Sequence, residues 1–94
     1  MSEKIIKHYD VIVTGRVQGV GFRYSALNQA EKLGIKGYVK NLFSEDVKLE
    51  IEGSEVATRL MLDWCRQGPT TAHVENANIS EGNLKNYKNF EVRY

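Results

Sequence analysis

Cysteine is nearly absent from the chain, since Cys65 is the only one in 94 residues. A lone cysteine excludes a disulfide within the chain and a thiolate metal cluster built by one chain alone. Long apolar runs are absent too: none approaches the roughly 18 residues of a transmembrane helix, and the first residues lack the apolar stretch of a signal peptide. Without repeats, low-complexity tracts or linkers, the chain is expected to form one domain over residues 1–94. These absences favour a small, reduced, cytoplasmic protein.

A large charge of one sign is also missing. The 13 lysines and arginines are balanced by 12 aspartates and glutamates, which leaves a net charge of +1. This balance gives no electrostatic footprint for non-specific binding to nucleic acid or to a membrane surface. The 41% of apolar and 27% of charged residues argue against disorder. We therefore expect a folded domain whose partner is neither nucleic acid nor membrane.

Alternation of apolar and polar residues predicts β-strands. In the third of them, Val47, Leu49 and Ile51 alternate with polar residues, so one face is expected to be buried and the other solvated. In the fourth, the apolar phase slips before Ala77, which predicts a β-bulge. The predicted strands cover residues 8–15, 35–40, 47–52, the segment that begins at 72, and 90–94.

Apolar residues at helical spacing predict two helices. Phe22, Ala26, Ala30 and Leu33 form the stripe of the first helix, which Gly34 ends. The second helix follows the N-cap residue Ser54 and ends at Gly68. Its buried face is predicted from Val56, Leu60 and Trp64, with Ala57 and Met61 beside it.

The element order is β-α-β-β-α-β with a short final strand, which predicts a ferredoxin-like α/β sandwich, an antiparallel sheet with two helices on one face. Right-handed crossovers make the first two strands parallel, so their C-terminal ends lie at the same end of the sheet. The loop at residues 15–21 and the turn that begins at Asn41 are therefore expected to be neighbours.

The first of these segments, which we call the glycine loop (residues 15–21), joins a strand to a helix. Its glycines permit a close backbone approach to a ligand, and its N–H groups can form an anion-binding concavity. Arg23 falls in the first helical turn, where a cation is unfavourable unless an anion lies beside it. The same glycines also suit an ordinary tight turn. The spacing matches neither a Walker A loop nor a dinucleotide fingerprint.

The stretch Gly15–Arg23 (GRVQGVGFR) resembles the signature of the acylphosphatase family. Gly34–Asn41 (GIKGYVKN) resembles the second signature of that family, and Phe90–Tyr94 (FEVRY) is similar to its usual C-terminus. Length and element order also fit, so the resemblance covers nearly the whole chain.

The resemblance implies a metal-free and cofactor-free hydrolysis of small acyl phosphates to a carboxylate and inorganic phosphate, by a monomer. It implies that Arg23 binds the phosphoryl group and that Asn41 orients the attacking water. The backbone amides expected to cradle the phosphate oxygens belong to Val17, Gln18, Gly19, Val20, Gly21 and Phe22. One departure from the family is the Asn41 turn, residues 42–46, which has no glycine where many members have one.

Two other functions compete with this one. Ferredoxin-like sheets bind RNA through surface aromatics, but the third strand here offers Lys48, Glu50 and Glu52 instead. A non-catalytic or partner-dependent phosphate-binding module is the second alternative, since similar domains occur within the carbamoyltransferase that matures hydrogenases. Arg23 and Asn41 are the residues that separate the enzyme from this module.

Several reactive residues are expected to have structural roles. His8 and His73 are interpreted as surface or strand residues, because no cysteine or carboxylate stands at metal-ligand spacing from them. Cys65 is interpreted as a packed or partly exposed helix thiol. Arg16 either adds positive potential to the glycine loop or faces water, and Gln18 is open in the same way.

Overall fold

The computed structural model describes residues 5–94, so residues 1–4 of the expected domain and N-terminal segment lie outside it. The predicted order of elements is confirmed. They are β1 (Ile6–Arg16), α1 (Phe22–Leu33), β2 (Lys36–Asn41), β3 (Val47–Ser54), α2 (Glu55–Gln67), β4 (His73–Gly82) and β5 (Phe90–Arg93). Neither helix of the described range is long and apolar enough to cross a membrane.

The strands form one sheet in the order β4-β1-β3-β2-β5. Since β1 and β2 both pair antiparallel with β3, they run parallel to each other, as the crossover rule predicts. Val47 of β3 pairs with Val13 on one side and with Asn41 on the other, so β1 and β2 reach the same end of the sheet. The ferredoxin-like class is confirmed, and β5 adds a parallel pair with β2 that makes the sheet mixed.

Both helices pack on one face of the sheet and enclose the core. The first helix buries Phe22, Ala26 and Ala30, as its stripe predicts. Gly34 ends it in the left-handed conformation, with φ 72°, and its N–H donates to the last turn. The register of β1 against β4 shifts between Thr14 and Gly15, which is the bulge predicted in the fourth strand.

The predicted face of α2 is wrong by about one residue. Val56 and Leu60 are 56% and 46% exposed, whereas Met61 and Cys65 are fully buried. Ser54 caps the helix as predicted, because its side chain accepts from the N–H of Ala57. Two adjacent i, i+4 stripes of this helix are apolar, so spacing alone does not say which one faces the sheet. The observed stripe carries the smaller side chains, Ala57 and Cys65, which allow a closer approach to the sheet.

The solvated face predicted for β3 is also wrong. Glu50 and Glu52 are each only 4% exposed. The segment 83–89 crosses them, and the backbone N–H groups of Lys85 and Tyr87 donate to Glu52. Alternation in β3 marks the apolar face correctly, but it carries no information about a distant segment that covers the other face.

Candidate active site

The glycine loop requires glycine at several positions. Gly19 and Gly21 have φ angles of 73° and 78°, in the left-handed region that side chains disfavour. Gly15, with φ 123°, approaches β4 so closely that a Cβ atom would lie 2.3 Å from the carbonyl oxygen of His73. Adding a side chain at Gly15 would therefore displace the backbone at the point where the loop begins.

The helix that follows the loop begins without a side-chain cap. Its N-cap residue is Gly21, which has no side chain that could accept from the first N–H groups of the helix. The first turn contains no acidic residue either. The first N–H groups of a helix have no partner within the helix and carry the positive end of its dipole. Arg23 adds a full charge in the same turn. The free N–H groups, the helix dipole and the Arg23 charge together favour the binding of an anionic ligand.

A cavity of about 170 Å³ lies where the glycine loop meets the end of β2. Its lining brings together Arg23 and Asn41, which are 18 positions apart in the sequence. Two of the predicted residues, Gln18 and Val20, do not belong to the lining within the described range. The residues that line it are Val17, Gly19, Gly21, Phe22, Arg23, Tyr24 and Asn41.

The guanidinium of Arg23 has no acidic partner in residues 5–94. Its Nη1 donates to the carbonyl oxygen of Arg93 at 3.3 Å. Its Cζ lies 4.7 Å from the centre of the Tyr94 ring, a cation–π distance. These contacts orient the guanidinium without neutralising it, and its remaining N–H groups can hold an oxyanion.

Four further residues belong to the site or its surroundings, and the sequence predicts none of them. Tyr24 lines the cavity, Arg93 and Tyr94 contact Arg23, and Thr71 contacts the glycine loop. The pairing of β5 with β2 sets Arg93 opposite Lys40, so Tyr94 reaches the level of Asn41. Tyr24 and Tyr94 join their hydroxyls at 3.4 Å, and Thr71 donates to the carbonyl oxygen of Val20 at 2.7 Å. Alternation of Phe90, Val92 and Tyr94 predicts the strand itself, but no local pattern shows that it pairs parallel with β2.

A second group of polar residues, which we call the acidic cluster, lies on the sheet face opposite the helices. Glu50 accepts hydrogen bonds from Tyr38, Tyr87 and Lys85 at 2.7–2.8 Å. Burial raises the pKa of Glu50, but these hydrogen bonds lower it by more, to about 2. The carboxylate therefore stays ionised and paired. The cluster consists of His8, Glu50, Glu52, Lys85 and Tyr87.

His8 is a strand residue, as interpreted, but it is 1% exposed and lies close to carboxylates. Its Nδ1 lies 2.7 Å from Glu52, and its Nε2 lies 2.9 Å from Asp10 and 3.5 Å from Glu50. One ligand atom each of His8, Asp10 and Glu50 lies within 4.8 Å of the others, which is metal-ligand spacing. The expectation that no carboxylate stands at such spacing is therefore wrong. The ammonium of Lys85 forms an ion pair with the Glu50 carboxylate at 2.8 Å. Its positive charge would repel a metal ion at this position.

Cys65 is fully buried in α2, as the packed-thiol interpretation predicts. Burial raises the pKa of its thiol to about 12. The thiolate form needed for nucleophilic attack is therefore disfavoured, and Cys65 has no access to the cavity.

Comparison with known proteins gives a consistent result. The acylphosphatase family model matches residues 9–92. An acylphosphatase of Nocardioides sp. is 43% identical over 84 residues, which are 89% of this chain and 85% of that protein. The structure of an acylphosphatase from Coxiella burnetii is similar with a TM-score of 0.92 and 38% identity, over 99% of this chain and all of that one. The structure of T. kodakarensis HypF is similar with a TM-score of 0.82 and 27% identity, over 94% of this chain and 12% of that one.

Proposed function

This chain belongs to the acylphosphatase family, and on that premise we propose that its Arg23–Asn41 cavity cleaves the carboxyl–phosphate bond of small acyl phosphates. Hydrolysis of acyl phosphates is the function of the family. The observation that carries the assignment of the site is the shared cavity. An arginine without an acidic partner, an amide side chain and a glycine loop meet there.

Arg23 and the glycine loop bind the phosphoryl group in this proposal. Phosphoryl transfer depends mainly on positioning and on stabilising the charge of the equatorial oxygens. The guanidinium offers a planar pair of donors, and the amides of residues 17–22 together with the start of α1 offer further donors. Gln18 contributes its backbone amide, since its side chain donates instead to the carbonyl oxygens of Leu42 and Asp46. Val20 contributes its backbone amide in the same loop.

Asn41 orients the attacking water. Its amide can both donate to and accept from a water molecule, and it brings no negative charge near the phosphate. The water oxygen attacks phosphorus, and the carboxylate leaves with the electrons of the broken P–O bond. An amide is too weak a base to take the proton, so a phosphate oxygen of the substrate accepts it. A rate that depends on an enzyme group titrating near neutral pH would contradict this step.

The proposed reaction needs no metal or cofactor, because Arg23 and the amides supply the charge that a cation would supply. The cavity lining offers neither histidine, cysteine nor carboxylate as a metal ligand. The cavity is small, which suits acyl phosphates such as acetyl phosphate, carbamoyl phosphate or 1,3-bisphosphoglycerate. We further propose one domain over residues 1–94, a monomeric state, a cytoplasmic location and no nucleic-acid partner. The near-neutral net charge supports the last of these.

A partner-dependent binding module is the second candidate function. The likeness to HypF favours it, because this chain matches only 12% of that longer protein. Such a module would bind phosphate in the same cavity without turning over an acyl phosphate. Turnover by the isolated chain therefore separates the two.

The experiment is the hydrolysis of benzoyl phosphate in the presence of EDTA. The variant Arg23→Ala is expected to lose at least ~10²-fold in kcat/KM, the scale for one electrostatic contact to a transition state. Arg59→Ala is the matched control, since Arg59 is exposed on α2 and lies outside the cavity lining. Near-normal turnover by folded Arg23→Ala would reject the role of Arg23. A folded wild type without turnover would favour the binding module.

A further inference from the structure

Gln18 links the two halves of the proposed site. Its backbone lies in the glycine loop between Val17 and Gly19, which both line the cavity. Its side chain leaves the loop and donates two hydrogen bonds from Nε2, each 2.8 Å long, to the carbonyl oxygens of Leu42 and Asp46. Both N–H groups of the amide are then occupied, so this side chain has no donor left for a phosphate.

The acceptors of Gln18 are the first and last residues of the Asn41 turn. The turn closes on itself through two backbone hydrogen bonds, from the N–H of Leu42 to Asp46 at 2.8 Å and from the N–H of Glu45 to Leu42 at 3.1 Å. Glu45 adopts φ 73°, a conformation that residues other than glycine rarely take. Phe43 is fully exposed and adds no packing. Gln18 adds two hydrogen bonds from outside to this turn, which contains a disfavoured backbone conformation at Glu45 and an exposed Phe43.

We propose that Gln18 is a positioning residue that holds Asn41 in place relative to the phosphate bound by the glycine loop. This inference rests on the proposed function, because the position of Asn41 matters only if Asn41 orients the water. Asn41 directly precedes Leu42, whose carbonyl Gln18 binds. Releasing that carbonyl loosens the attachment point of the water-orienting amide, while the backbone amides of the glycine loop stay where they are.

The test compares Gln18→Met with the wild type in benzoyl phosphate hydrolysis and in inhibition by inorganic phosphate. Methionine keeps the length of the side chain and removes both donors. We expect kcat to fall by about 10- to 100-fold, because misplacing a reacting group by roughly 1 Å has that cost. The inhibition constant for phosphate is expected to stay within about twofold, since Gln18 donates no side-chain bond to the phosphate. Gln18→Ala is measured beside it, so that the result does not depend on one variant folding well.

Two control variants separate positioning from general destabilisation. Ser44→Ala removes a hydrogen bond inside the same turn, to Asp46, that does not reach the glycine loop. Ser54→Ala removes the N-cap of α2, far from the cavity, and should cost about as much stability as a lost hydrogen bond. Both are expected to keep kcat within about twofold of the wild type, because neither removes a bond between the glycine loop and the Asn41 turn.

A double-mutant cycle with Asn41→Ala decides whether Gln18 acts through Asn41. If it does, adding Gln18→Met to Asn41→Ala lowers kcat by less than about twofold, because the group being positioned is already gone. Independent losses that multiply would overturn the proposal. So would an unchanged kcat in both Gln18 variants, or a rise in the phosphate inhibition constant that matches the loss of kcat. A wild type without turnover would instead reject the proposed function itself, and the two failures are thereby distinguished.

Discussion

The glycine loop and the acidic cluster both gather charged side chains, but they treat those charges in opposite ways. In the acidic cluster, Glu50 accepts three hydrogen bonds from Tyr38, Tyr87 and Lys85. Throughout residues 5–94, no buried side-chain nitrogen or oxygen lacks a partner. At the glycine loop, Arg23 meets only a carbonyl oxygen and an aromatic ring. Of these two regions, the glycine loop is the one where a charge lacks a counter-ion, and it is the one that we propose to bind the ligand.

This difference separates the energetic roles of the two regions. Removing one member of the acidic cluster leaves a buried carboxylate or its donors without a partner. The cost therefore falls on the free energy of unfolding. In the proposed function, removing a side chain from the cavity takes away a contact to the substrate, so we expect the cost to fall on turnover. The predictions below test that separation, beginning with the largest expected effect.

Asn41→Ala should lower kcat by about 10²-fold, because it removes the group that orients the water. The inhibition constant for inorganic phosphate should stay within about twofold, since Arg23 and the loop amides remain. Steady-state kinetics with phosphate as inhibitor measures both quantities. Loss of phosphate binding with turnover preserved would reverse the roles assigned to Asn41 and Arg23.

Glu50→Gln should leave kcat unchanged and lower the free energy of unfolding by about 2 kcal/mol, the scale for hydrogen bonds to a charged group. Urea denaturation measures the loss of stability. Glu31→Gln is the control, because Glu31 is an exposed glutamate on α1. A large drop in kcat with full stability would show that the acidic cluster serves the reaction, against the separation drawn above.

Acid should act on the acidic cluster through Glu50. Its pKa in the folded state is about 2, below the ordinary value of 4.5, because the hydrogen bonds to the carboxylate outweigh its burial. A depressed pKa stabilises the fold above pH 4.5, and this contribution is lost as the pH falls from 4.5 towards 2. Unfolding free energies across this window should therefore decline less steeply in Glu50→Gln than in Glu31→Gln. Equal slopes in the two variants would mean that the Glu50 hydrogen bonds are not stabilising.

Thr71→Val should weaken phosphate binding by about two- to tenfold, the range for one neutral hydrogen bond. Thr71 donates to the carbonyl oxygen of Val20 and so holds the glycine loop from outside the cavity. Calorimetric titration with inorganic phosphate measures the change. Thr70→Val is the neighbouring control, since it makes the same substitution but keeps the hydrogen bond from Thr71 to Val20. The expected result is a loss in Thr71→Val only.

Cys65 should give the smallest effect. Because burial raises its thiol pKa to about 12, iodoacetamide at neutral pH should neither label the folded protein nor change its turnover. Labelling should appear once the chain is unfolded in urea. Rapid inactivation of the folded protein would place this thiol in the reaction after all.

The sequence predicts the part of the site that local rules control. Glycines at 15, 19 and 21 predict the positive φ angles of the loop. The crossover rule predicts that Asn41 lies beside the loop. Contacts set by long-range pairing escape such rules. Tyr94 reaches Arg23 only because β5 pairs with β2, and Gln18 finds its acceptors 24 and 28 residues away.

The two wrong predictions about the fold, the solvated face of β3 and the buried face of α2, have the same origin. Alternation in β3 predicts a solvated Glu50, because the segment that covers it begins more than 30 residues later. The two apolar stripes of α2 are equivalent by spacing, and only the packing against the sheet selects Met61 over Leu60. Local periodicity fixes the type of an element, whereas tertiary contacts decide which of its faces is covered.

A titration of the ¹⁵N-labelled protein with inorganic phosphate, followed by amide chemical shifts, tests most directly whether the glycine loop binds phosphate. We expect saturable shifts at the amides of residues 17–23 and at the Asn41 side chain, with the amides of Glu50 and Lys85 unmoved. Arg23→Ala should weaken the binding that these shifts report. Shifts centred on the acidic cluster, or turnover of acyl phosphate without any shift in the glycine loop, would contradict the claim that the uncompensated charge at Arg23 marks the site.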